Sequence, residues 1–287
     1  MAFKEILVHL DDHQGYEARL RLALALAQAH KAHLVALYGF ELPVAPRARN
    51  VVGVYAEDNV LRTAYERERD AAYANASSLE AAFHLETRRA GLSAEWEVRP
   101  DKATDLIAFV TKRARYADLA VLGQAHPDHP FFDTLAKLPE AVMLGCGRPA
   151  LIVPAGSLAT AVGERVLVAW NGTREAARAV GDALPLLRHA AAVTVVSVSA
   201  HANDEDGDTA ADLARHLSRH EIPAASSHLV ASDIGAAGEV ILAQAEELGC
   251  DLIVMGGYGH SRTRELILGG VTRAVLQRMT IPVLMSH

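Results

Sequence analysis

The nine residues EILVHLDDH, from Glu5 to His13, return in altered form as RVLVAWNGT, from Arg165 to Thr173. Both are a short apolar run that ends in polar, turn-forming residues, and they lie 160 positions apart. The same shift brings HLVALYGF at His33 onto VTVVSVSA at Val193. Further along the offset falls to 133, where ADLAVLG (Ala117–Gly123) matches CDLIVMG (Cys250–Gly256) and RPALIVP (Arg148–Pro154) matches IPVLMSH (Ile281–His287). A fixed offset over many positions is the mark of an internal repeat, and it governs everything read afterwards. The change of offset puts 27 extra residues into the first copy, in a segment near 41–77 expected to be a loop and then a lengthened helix. The join falls in AGSLATAVGE (Ala155–Glu164), giving expected domains at 1–155 and 163–287.

Within each copy, β-branched or Leu-rich runs (ILVHL, LVALY, AEWEV, LAVLG, ALIVP) alternate with Ala-, Leu-, Arg- and Glu-rich stretches. In EARLRLALALAQAH the residues Leu20, Leu24 and Ala27 fall on one helical face. Strands that alternate with helices of this length indicate βαβ units and a parallel sheet covered on both faces. Five strands and four helices per copy give two tandem α/β domains of flavodoxin-like or Rossmann-like type. In such open sheets a ligand lies beyond the carboxyl ends of the strands, where strand order reverses.

Composition narrows the partners. The 287 residues carry a formal net charge of −7, which leaves no surplus of cations for nucleic acid phosphates. The basic run Lys112–Arg115 lies in a helical pattern and reads as a solvated face. Cys146 and Cys250 are too few and too isolated for a disulfide framework, which favours a reducing, cytoplasmic setting. The apolar run of MAFKEILVHLDDH is too short for a signal peptide, and charges interrupt every long apolar stretch, so no membrane segment is expected.

Five glycines, Gly256, Gly257, Gly259, Gly269 and Gly270, cluster in VMGGYGHSRTRELILGGVTRAV (Val254–Val275), just after the fourth strand of the second copy. Backbone N–H groups in a glycine turn, followed by a helix N-terminus, bind an anion without basic side chains. No Gly-Lys dipeptide exists for a Walker A loop, and no GxGxxG follows a first strand.

The spacing Gly256-x2-Gly259-x9-Gly269 resembles the nucleotide signature of the universal stress protein family, G-x2-G-x9-G followed by Ser or Thr. The resemblance runs over the whole chain as a tandem pair. It implies a five-stranded parallel sheet of order 3-2-1-4-5 in each copy and ATP, with or without Mg, between the first and fourth strands. It places Asn171, Gly172, Val198, Gly256, Gly259, His260, Arg262, Gly269, Gly270, Val271 and Thr272 at the nucleotide. Gly270 departs from the pattern, keeping the N–H but lacking the hydroxyl, with Thr272 close by. In the first copy the matching positions are Gly123, His126, Ala136 and Lys137, of which the last three dismantle the loop, although Asp11 keeps the acid after the first strand. The expected function is therefore an adenine-nucleotide-binding regulatory or stress-response protein, with one site, in the second copy. The alternatives are a scaffold with weak or no nucleotide binding, and a slow ATPase.

No metal-holding acid or nucleophile-positioning residue can be assigned, so no catalytic residue is expected. The loops after the first strands, HLDDHQG and AWNGTRE, also lack the motifs of related adenylating enzymes. His216 and His220, spaced i, i+4, read as a solvated helix surface, and His126 with His129 and Asp128 forms a second pair at a strand end. The resemblance further implies that the last strands, ALIVP and PVLMS, pair within the chain and cover an apolar sheet edge. A homodimer beyond that remains open.

Overall fold

The computed structural model describes residues 2–11, 15–41, 55–101, 103–129, 132–199, 209–232, 236–258 and 270–287. In the first half the order is β1 (Glu5–Leu10), α1 (Tyr16–His30), β2 (His33–Glu41), α2 (Tyr55–Arg89), β3 (Ala94–Asp101), α3 (Ala103–Ala114), β4 (Leu119–Gly123), α4 (Phe132–Leu135), α5 (Leu138–Cys146) and β5 (Ala150–Val153). The second half follows with β6 (Arg165–Ala169), α6 (Arg174–Leu187), β7 (Ala192–Ser199), α7 (Thr209–Ser218), β8 (Ala224–Val230), α8 (Ala237–Glu247), β9 (Leu252–Gly256), α9 (Gly270–Arg278) and β10 (Val283–Ser286). The extra residues of the first copy lengthen one helix: α2 has 35 residues where its counterpart α7 has 10.

All ten strands join one sheet in the order β3-β2-β1-β4-β5-β10-β9-β6-β7-β8. Each half thus has the order 3-2-1-4-5, parallel throughout, as the alternation of strands and helices requires. The halves meet where β5 and β10 run antiparallel, with Val283 opposite Ile152 and Met285 opposite Ala150. These seam residues are fully buried or nearly so. An antiparallel seam between two parallel halves points the carboxyl ends of β1–β5 and of β6–β10 to opposite edges of the sheet.

The strands are apolar on both faces because helices cover both. One face packs α1, α2, α6 and α7 over Ile6, Val8, Val166 and Val168. The other packs α3, α5, α8 and α9 over Leu7, Leu167, Ile253 and Met285. A polar device at the amino ends of the strands is duplicated as well. Asp118 accepts hydrogen bonds from the Lys4 and Glu5 N–H groups, and Asp251 accepts from those of Glu164 and Arg165. Each aspartate satisfies the backbone where a central strand begins, so the repeat extends to side-chain chemistry.

Candidate functional site

At the carboxyl end of β6 the chain turns through Asn171 and Gly172, the latter at φ +71°. The Asn171 Oδ1 accepts from the Thr173 N–H at 3.3 Å and from its hydroxyl at 2.8 Å, an Asx turn that feeds the chain into α6. Thr173 caps the helix, its Oγ1 accepting from the Ala176 N–H at 3.3 Å. Glu175 is buried and in contact with Arg174. Burial alone would raise its carboxyl, but hydrogen bonds from Arg174, its own backbone and Thr173 outweigh that and hold it below the usual range. The first turn of α6 therefore spends N–H groups on its own side chains. Asn171 itself is exposed, with its carboxamide NH2 still to place.

Gly256 ends β9 directly behind this turn. A Cβ there would lie 2.5 Å from the Ala176 N and 2.7 Å from the Glu175 carbonyl carbon. The glycine is thus required for the strand to pass under the helix start, a packing reason that the motif alone does not reveal. Gly257 follows, its N–H donating to the Ser286 carbonyl at 2.9 Å and its carbonyl 3.0 Å from the His287 Nδ1.

The other wall is the first turn of α9. Gly270 is exposed, Val271 is half-buried, and Thr272 is buried with its Oγ1 accepting from the Tyr258 N–H at 3.3 Å. Val198, near the end of β7, is half-buried on the α8/α9 face with Ala169 and Leu229. The structure therefore puts Asn171, Gly172 and Gly256 beside the start of α6 and Thr272 beside Tyr258, at the carboxyl ends of β6 and β9, with Gly270 and Val271 in the first turn of α9 and Val198 near the end of β7. Gly259, His260, Arg262 and Gly269 lie outside the described residues. A first turn of α9 that begins on an exposed glycine suits an anion, and the Asn171 carboxamide suits a nucleoside.

A polar cluster absent from the sequence reading lies beside the crevice. His228 on β8 hydrogen bonds through Nδ1 to the Ser197 Oγ at 3.0 Å and through Nε2 to the Ser199 Oγ at 3.1 Å. Ser197 and Ser199 share a face of β7 by the two-residue period, and Ser197 is in register with His228. The period was available in the sequence, but the register was not.

The equivalent crevice of the first half is built differently. Arg19, on α1, extends its Nη2 to the Asp11 oxygens at 3.0 and 2.9 Å, and both residues are buried. The space a Cβ would need at Gly123 is taken by this guanidinium, 2.2 Å away. His9, Asp11, Arg19, Gln124, His126 and His129 line what remains, a cavity of about 20 Å³, room for roughly one water-sized molecule. His9 is 1% exposed, and neither ring nitrogen has a hydrogen-bond partner among the described residues. Burial lowers its pKa to about 4, partly offset by Asp11. Sequence reasoning missed Arg19, which stands among leucines in a helix and gives no sign of turning inward.

The histidine pairs remain pairs. The His216 and His220 rings lie 4.9 Å apart on α7. His126 Nδ1 accepts from the Asp128 N–H at 3.2 Å. Among the described residues no group of three or more His, Cys, Asp or Glu side chains could hold a metal ion. Nor is any helix among them long and apolar enough to cross a membrane.

Comparison with known proteins meets this geometry in the second half. The model of the Universal stress protein family matches residues 163–287. Universal stress protein Slr1230 of Synechocystis sp. is 45% identical over 51 residues, 18% of this chain and 18% of that protein. Universal stress protein MJ0577 of Methanocaldococcus jannaschii is 39% identical over 51 residues, 18% of this chain and 32% of that protein. The chain thus aligns with less than a third of the length of either curated relative. A universal stress protein from Archaeoglobus fulgidus shares the fold over 98% of this chain and 95% of its own, with a TM-score of 0.71 at 18% identity. The protein is of the α/β class with a mostly parallel sheet, and its second half belongs to the universal stress protein family.

Proposed function

We propose that the protein binds one adenine nucleotide per chain, ATP with or without Mg, in the second-half crevice, and serves as a regulatory or stress-response protein. The observation that carries this reading is the difference between the two crevices. In the second half, the turn at Asn171–Gly172 and Gly270 at the start of α9 are exposed. In the first half, the buried Arg19–Asp11 pair lines a cavity of only about 20 Å³. The nucleotide would supply only charge and shape. The residues of this chain would do the holding: Asn171 toward the nucleoside, Val198 as an apolar wall, and the N–H groups of Gly270 and Val271 toward phosphate, with Gly259, His260, Arg262, Gly269 and Thr272 completing the loop.

The same reading treats residues 1–155 and 163–287 as two domains of one family, paired through β5 and β10 in the manner of a dimer, and working in the cytoplasm. Glu175, the carboxylate in the first turn of α6, is buried and paired with Arg174, so it lends a hydrolytic role no support. Calorimetric titration of nucleotide-free protein with Mg-ATP tests the proposal. One site per chain is the expected result. Two sites would overturn the reading of the first crevice, and no binding would overturn the whole.

A further inference from the structure

His9, near the end of β1, is a buried polar group for which the nucleotide reading has no use. It is 1% exposed, and neither ring nitrogen has a hydrogen-bond partner among the described residues. A buried imidazole left unpaired is costly, and in a folded protein such a group calls for a bound water or ion. His9 lines the first-half cavity of about 20 Å³, so a small occupant has room beside it.

The other polar walls of that cavity are mostly donors. Gly15, which lines it, is the N-cap of the 15-residue helix α1. No side chain caps this helix start, unlike that of α6, and α1 brings about half a positive charge to it. Arg19 binds Asp11 through Nη2, while its Nε and Nη1 have no acceptor among the described residues. The formal charges of Arg19 and Asp11 cancel, and His126 and His129, also on the wall, add no negative charge. The sum therefore leans positive.

Acceptors are scarcer. Gln124, just past β4, is engaged at both ends: its Nε2 donates to the carbonyls of Leu276 at 2.8 Å and Gln277 at 3.2 Å, and its Oε1 accepts from the Ala155 N–H at 3.1 Å. Leu135, Leu138 and Val153 close the rest of the cavity with apolar surface.

We propose that this cavity is a binding site for one monatomic anion, chloride, held by His9, Arg19 and the start of α1. His9 presents an N–H in either protonation state. Water is similar in size, but its two protons need acceptors, and these walls offer mainly donors. A polyatomic anion such as phosphate or acetate exceeds the room. The Asp11 carboxylate opposes the anion, and the Arg19 Nη2 offsets it from 2.9 and 3.0 Å. The site is separate from the second-half crevice, so its failure would leave the nucleotide reading intact.

Urea unfolding of the intact chain in sodium chloride, sodium bromide or sodium gluconate, at equal ionic strength, tests this. A ligand that binds only the folded chain stabilises it by mass action. The midpoint should therefore rise with the logarithm of chloride concentration once the site is filled, and bromide should act likewise. Gluconate, too large for the cavity, should leave the midpoint unmoved. His9→Leu removes the N–H and suits the apolar wall; its midpoints in chloride and gluconate should coincide. His9→Gln keeps an N–H donor and should keep the chloride rise. The width of the chloride NMR line gives a second readout on the unaltered chain, where bromide should relieve the broadening by displacement. Equal midpoints of the parent in chloride and gluconate overturn the inference and leave water as the occupant. A chloride rise undiminished in His9→Leu also overturns it, because the anion then sits elsewhere. If His9→Leu does not fold, a parent that shows no bromide-relieved broadening overturns it instead.

Discussion

Gly123 and Gly256 occupy the same place in the two halves, each ending the strand beside the crevice, yet each is glycine for a different neighbour. Behind Gly256 stands backbone, the Glu175–Ala176 peptide at the start of α6. Behind Gly123 stands a side chain, the Arg19 guanidinium that binds Asp11. The same position has a different neighbour in each half: the second half sets β9 against a helix start, whereas the first fills the place with an internal ion pair.

Arg19→Ala is the hardest test of this contrast. It removes the guanidinium paired with the buried Asp11 carboxylate, and breaking such a pair costs about 3–5 kcal/mol. Urea unfolding should show that loss, while Mg-ATP affinity at the second crevice stays near the parent value. A new nucleotide site in that variant would show that the ion pair, and not the altered loop, closes the first half.

Acid should act next, again on the first half. The folded pKa of His9 is about 4, against an ordinary value of 6.5. Between those values the unfolded chain takes up a proton that the folded chain refuses, so stability falls as pH drops from 6.5 toward 4 and is complete above 6.5. The loss reaches about 3 kcal/mol at 1.36 kcal/mol per unit. A His9→Phe variant should flatten that stretch of the stability–pH curve measured by chemical unfolding.

Gly256→Ala drives a methyl group into the start of α6. Overpacking of this kind costs about 1–3 kcal/mol, and nucleotide binding should be lost with it. Gly123→Ala should leave binding in place, because its clash is with Arg19 on the opposite crevice. Thermal melts and calorimetry on the two variants distinguish these outcomes. The smallest effect is expected from Thr173→Ala, which removes the cap of α6 for about 1 kcal/mol, read as a shift in denaturation midpoint.

The fold was legible from the sequence because the repeat and the two alternating periods are local patterns, and Asp118 and Asp251 even keep the 133-residue offset. The length of α2 followed from the change of offset, although residues 42–54 lie outside the described structure. The site was legible in part. Asn171 and Gly256 fall at the ends of β6 and β9, where the alternation of apolar runs and turn-forming residues had put them. Arg19 could not, since a charged residue in an amphipathic helix ordinarily faces water, and only the missing Cβ of Gly123 makes room for it. The Ser197–His228–Ser199 cluster depends on the register of β7 and β8, which is not written in a linear pattern.

The antiparallel seam of β5 and β10 has a consequence for recognition by other molecules. The two crevices open at opposite poles, so one partner cannot grip both with a single flat surface. A parallel seam would have crowded both onto one face.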